Sequence, residues 1–170
     1  MRYVRIPFVK GWILLLCLCG LSLSLATARV LEGLTLLTPE EAQQLRVTDQ
    51  DVVPPVFTRA IDSGPRIIIQ RPQVMDTGGE AVIDTMSPTD LFVLFEATQA
   101  PVDMNSLDIA AYKGPFSKSL TPQLKPYVQG SSLQAMGVTI PAGQFLIQIA
   151  IADQNGVKTV GKYRLRVNDK

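Results

Sequence analysis

A chain of 170 residues with 16 basic and 15 acidic side chains is close to electroneutral, and it lacks the basic excess that nucleic-acid binding requires. It holds no histidine and two cysteines, Cys17 and Cys19, so imidazole chemistry is excluded and thiolate chemistry rests on those two positions. The length suits one domain whose apolar core needs no cross-links.

The first 28 residues read as an export leader. Arg2, Arg5 and Lys10 precede an apolar run from Gly11 to Leu25, and Ala26-Thr27-Ala28 offers small residues at both specificity positions of a signal-peptidase site. The apolar run is shorter than the roughly 20 residues that span a bilayer, so cleavage after Ala28 is the expectation. Retention of 1–28 as a membrane anchor is the alternative, with Arg5 and Lys10 the two charges between Tyr3 and Leu25. A lipoprotein is not expected, because Leu16 and Leu18 precede Cys17 and Cys19 where a lipid-modified cysteine needs a small residue. Cleavage would remove both cysteines and leave no disulfide.

Residues 29–64 hold Glu32, Glu40, Glu41, Asp49, Asp51 and Asp62 together with Pro54-Pro55. Thr38 as cap, Pro39 at the first helical position and Glu41 three residues after the cap form a capping box, predicting a helix of about two turns that ends near Leu45. Val47 to Gly64 reads as an extended tether. The division is therefore leader or anchor at 1–28, acidic tether with a short helix at 29–64, and a folded domain at 65–170.

From Pro65 onward the hydrophobic period is two. Strands are predicted at Arg66–Gln70, Glu80–Thr85, Asp90–Ala97, Ser106–Tyr112, Leu133–Ile140, Gln144–Ala152 and Tyr163–Val167. In the fourth, Leu107, Ile109 and Ala111 share a face; in the fifth, Met136, Val138 and Ile140; in the sixth, Phe145, Ile147, Ile149 and Ile151. The last places Tyr163, Leu165 and Val167 inward and Lys162, Arg164 and Arg166 outward. Asp153-Gln154-Asn155-Gly156 predicts a hairpin between the last two strands, because Asn-Gly supplies positive φ. Gly114 to Gly130 reads as an irregular stretch containing one helical turn, started at Thr121-Pro122 and stopped by Pro126. Seven strands in this spacing give an all-β sandwich.

The runs Gly64-Pro65-Arg66-Ile67-Ile68-Ile69, Ser87-Pro88-Thr89-Asp90-Leu91, Pro101-Val102-Asp103-Met104-Asn105-Ser106-Leu107 and Ile149-Ala150-Ile151-Ala152-Asp153 resemble strand starts of immunoglobulin-like domains in exported bacterial proteins. Lys113 to Val128 is similar to an uncharacterised secreted group of that type. The resemblance covers roughly Gly64 to Asn168 and implies a seven-stranded immunoglobulin-like sandwich. It implies little about activity, since fold does not fix function. Antibody hallmarks are missing: no core cysteine pair exists, and the one tryptophan is Trp12.

Catalysis is not expected, because no Ser-x-x-Lys spacing occurs and Ser117-Lys118-Ser119 places neighbours that point apart. No cofactor or metal is expected. Asp103, Asn105 and Asp108 offer oxygen ligands that Ca²⁺ would accept, but a turn cap before a strand accounts for them. Asp153-x-Asn155-Gly156 is accounted for by its turn. The stretch of interest is Ile109 to Ala152, which holds Lys113, Lys118 and Lys125 and no acid. Phe116 and Tyr127 lie among these lysines, a combination that suits an anionic partner. Three readings stand: an anionic protein or envelope partner, a solvated loop whose Phe116 and Tyr127 plug the sandwich, and docking of acidic residues 29–64. The expected function is a non-enzymatic binding or assembly module of the bacterial envelope, periplasmic or secreted, without nucleic-acid contact. The alternative is a subunit of a larger complex, anchored in the inner membrane by 1–28; membrane contact is expected only in that case.

Overall fold

The computed structural model describes residues 33–48, 50–51, 63–77 and 79–168. The expected leader at 1–28 and most of the 47–64 stretch lie outside them. Helix α1 (Pro39–Leu45) begins as its sequence demands: Glu41 N–H donates to the Thr38 hydroxyl, and the Glu41 carboxylate accepts from Thr38 N–H at 3.0 Å. Strands β1 (Arg66–Arg71), β2 (Val74–Thr77), β3 (Glu80–Met86), β4 (Thr89–Glu96), β5 (Val102–Lys113) and β6 (Phe116–Ser119) follow. A helical turn α2 (Thr121–Leu124) runs into a 3₁₀ turn at Lys125–Tyr127. The chain ends with β7 (Val128–Gln129), β8 (Ser132–Val138), β9 (Gly143–Asp153) and β10 (Lys158–Asn168).

These form a two-sheet β-sandwich, one sheet ordered β1-β4-β8-β7 and the other β2-β3-β10-β9-β5-β6. All neighbours are antiparallel except β3 and β10, which run parallel. The described strands number ten, not the expected seven. The three additional strands, β2, β6 and β7, have four residues or fewer, too short for a period of two to register. Val93, Phe95, Leu133 and Ala135 from one sheet meet Ile109, Phe145, Ile149, Ile151 and Leu165 from the other. The Asp153–Gly156 turn closes the β9–β10 hairpin, with Gly156 at φ 80°. Asp153 Oδ1 accepts from Asn155 and Val157 N–H, at 3.0 and 2.8 Å.

One predicted face is corrected. Met136 is 72% exposed, whereas Leu133, Ala135, Val138 and Ile140 are buried. Between Thr89–Val138 and Leu91–Ala135, β8 carries one residue more than β4. Gly137 absorbs it at φ 63°, and a bulge of this kind reverses the alternation on either side.

The described part of 29–64 differs from a free tether. Leu36, Leu37, Ala42 and Leu45 belong to the main apolar core. Leu36 N–H donates to Thr139 O and Thr139 N–H to Leu34 O, giving a short parallel bridge to the chain beyond β8. Each fully buried leucine here contributes about 1.5–3 kcal/mol. Val47, Thr48 and Asp51 then bond to residues of the larger sheet on its outer side. Val47 N–H donates to Gln144 O, and Arg164 donates to Thr48 O and Asp51 O at 3.3 and 2.9 Å. Arg164, expected to face solvent, is consequently 4% exposed. It points outward as its position in β10 dictates, and these contacts cover it.

Candidate functional site

The β5–β6 hairpin separates the sequence-predicted site residues. Lys113 and Phe116 pair across the Gly114-Pro115 turn at the hairpin tip, and Phe116 is 60% exposed. Lys118 lies opposite Ala111, a core residue, and so points inward toward α1. Its Nζ donates to Glu41 Oε1 at 2.6 Å. That bond, then the Thr38 N–H, holds the Glu41 carboxyl below its ordinary value of 4.5. Lys113 Nζ donates to Arg46 O at 2.5 Å, and Arg46 in turn donates to Ala142 O. Two of the three lysines thus clasp the segment around α1. Of these contacts, the one to Glu41 corresponds to docking of the acidic residues 29–64, whereas Lys113 meets a backbone carbonyl.

Lys125 stands elsewhere. From the hairpin tip the chain doubles back along β5, and α2 meets β5 at Ile109, whose N–H donates to Thr121 Oγ1 at 2.8 Å. Lys125 lies one turn further, beside Met104–Leu107. Leu107 and Lys113 are six residues apart in β5, a separation of roughly 20 Å at the rise of a strand. Lys113, Phe116 and Lys125 therefore form no common patch. Tyr127 is half-buried and packs against the core, whereas Phe116, which the plug reading paired with it, is exposed.

Around Lys125 the structure makes an open cleft of about 260 Å³, lined by Met104, Asn105, Leu107, Thr121, Lys125 and Val128. Its wall is a bulge in β5. Asp103 pairs with Ala152 and Asp108 with Ala150, so β5 takes five steps where β9 takes two. The three surplus residues lift the chain off the sheet. Local bonds fix the lifted segment: Asn105 N–H donates to Asp103 Oδ1 at 3.0 Å, Ser106 Oγ to Asp103 O at 2.6 Å, and Ala152 N–H to Ser106 Oγ at 2.7 Å. Bulges of this kind are over-represented beside binding and active sites. Lys125 is exposed and takes no partner among the described residues.

Of this cleft the sequence marked Lys125 as a binding candidate, Asn105 as a weighed oxygen ligand and Thr121 as a helix start, but did not bring them together. Met104, Leu107 and Val128 gave no separate signal, because a bulge is recognised only once the partner strand is known. The acids weighed as a calcium site are occupied locally: Asp103 caps its own turn, and Asp108 Oδ1 accepts from the Thr121 hydroxyl at 3.3 Å. Elsewhere, burial pushes the Tyr163 phenol up to about 12, and it packs over Gly161, where a Cβ would lie 2.6 Å from the phenol oxygen. Among the described residues no helix is long and apolar enough to cross a membrane.

No family model matches the chain, and no curated protein does. Solved structures with a similar chain path include CopC from Methylosinus trichosporium OB3b, 15% identical at a TM-score of 0.35, covering 56% of this chain and 92% of that one. Another is the Bacteroides ovatus mixed-linkage glucan utilization protein SGBP-B, in complex with a mixed-linkage heptasaccharide. It is 16% identical at a TM-score of 0.38, covering 62% of this chain, which spans 24% of its length. Murine CRIg is 6% identical at a TM-score of 0.34, covering 62% of this chain and 98% of that one.

Proposed function

We propose that this chain is a non-enzymatic binding or assembly module that works outside the cytoplasm and contacts a protein or other envelope partner through its Lys125 end. The observation that carries the reading is the division of labour among the lysines. Lys113 and Lys118 are spent on the segment around α1, while Lys125 has no partner among the described residues and lines an open cleft on a braced bulge. Irregular segments on a rigid scaffold are where binding residues concentrate. Export is supported by the charged, apolar and A-x-A succession of 1–28, and a non-catalytic role by the absence of histidine and of any cysteine beyond position 19.

Single substitutions test it. Lys125→Glu and Lys113→Ser are compared with wild type in capture from envelope extract under mild cross-linking. Lys125→Glu should lose the captured partner, and Lys113→Ser should keep it. Equal capture by all three would overturn the assignment to Lys125. Export is checked separately by N-terminal sequencing of the periplasmic or secreted protein, which should begin at Arg29.

A further inference from the structure

The lining of the β5 cleft narrows what it can hold. Met104, Leu107 and Val128 supply apolar surface, Asn105 and Thr121 supply an amide and a hydroxyl, and among the described residues Lys125 is the one ionisable side chain lining the cleft. Thr121 is already engaged by Ile109 N–H and by the Asp108 carboxylate, so the lysine ammonium is the strongest donor left for a guest. A cationic guest would meet that ammonium and would find no aromatic ring to stack on. A multiply charged phosphate would meet one cation and a largely apolar wall, a poor exchange for its hydration. An opening of about 260 Å³ lies near the lower end of ligand-pocket sizes, roughly 300 Å³.

We infer that the cleft binds a single carboxylate carried on a short apolar body. The Lys125 ammonium pairs with the carboxylate, and Met104, Leu107 and Val128 take the body. This rests on the reading of the Lys125 end as the contact surface and adds its chemistry. Two sources present the same group: a free small organic acid, or the C-terminal residue of a polypeptide.

Amide chemical-shift titration of the full chain tests the inference. The probes are hexanoate, hexylamine, and an N-acetylated Ala-Leu dipeptide as free acid and as C-terminal amide. The two acids should shift Met104, Asn105, Thr121 and Lys125, and hexylamine and the dipeptide amide should not. Tighter binding of hexanoate identifies the free acid as the source, and tighter binding of the dipeptide acid identifies the chain terminus. Lys125→Gln should weaken the acids by about fivefold, the value of one partly screened ion pair, and Lys125→Arg should restore them. The inference is overturned if neither acid shifts these amides at millimolar concentration, or if acid and amide act alike. If capture still depends on Lys125 while the acids give no shift, the contact surface stands and the carboxylate assignment falls.

Discussion

Arg164 shows how one residue can obey its sequence position and still defeat the expectation drawn from it. Its place in β10 aims it outward, yet Glu80 Oε1 at 2.6 Å, Gln144 Oε1 at 3.3 Å and the carbonyls of Thr48 and Asp51 enclose it. Arg164→Ala would strand the Glu80 carboxylate and two carbonyls, so urea unfolding should show a loss of about 3–5 kcal/mol. A loss under about 1 kcal/mol, the scale of an exposed ion pair, would mean that Thr48 and Asp51 are not held by this side chain. Glu41 carries the pH dependence of the other clasp. Its carboxyl lies below 4.5 in the folded protein, held there by Lys118 first and Thr38 second. A depressed folded value contributes stability above the unfolded value, and that contribution is lost as pH falls through the folded one. Below about pH 4.5 the wild-type melting temperature should therefore fall more steeply than that of Glu41→Gln, which has no carboxyl to protonate. Parallel profiles would contradict the clasp.

Local grammar was legible wherever it was self-contained at the scale of elements. The Thr38 capping box, the Asn155-Gly156 turn and the Leu107/Ile109/Ala111 face each depend on residues within a few positions, and each is present as expected. Features set by a distant partner were not legible. The β8 bulge exists relative to β4, the β5 bulge relative to β9, and the parallel β3–β10 pairing relative to the whole topology. The cleft inherits that difficulty, since Met104, Thr121 and Val128 come from three elements. Gly137 gives a direct test of the β8 bulge. At φ 63°, Gly137→Ala should cost roughly 1–2 kcal/mol, the penalty of a left-handed conformation for a residue with a Cβ. The surroundings of the site are open, with nothing within 4 Å of the added atom, so a neutral substitution would contradict the assigned bulge and not merely report a relaxed neighbour.

At the scale of the whole molecule, the part of the expected tether from Leu34 to Leu45 is in the core. Leu36, Leu37 and Leu45 are each at most 4% exposed. Three buried leucines sum to about 5–9 kcal/mol, which is comparable to the roughly 5–15 kcal/mol that holds a domain folded. Deleting residues 1–47 should abolish cooperative thermal unfolding, whereas deleting residues 1–28 should preserve it. A sharp transition in the shorter chain would restore the tether reading. The same packing engages Lys113 and Lys118 within the chain, Lys113 at the Arg46 carbonyl and Lys118 at the Glu41 carboxylate. The proposed contact surface lies at the far end of β5, where the bulge opens the cleft.

Site-specific photo-cross-linking addresses that claim most directly. A photoreactive residue is placed singly at Lys125 and at Phe116, both exposed and roughly 20 Å or more apart by strand length, and each protein is irradiated in intact cells. Adducts should form from position 125 and not from position 116. Adducts from position 116 with none from 125 would contradict the assignment and move the contact surface to the hairpin tip.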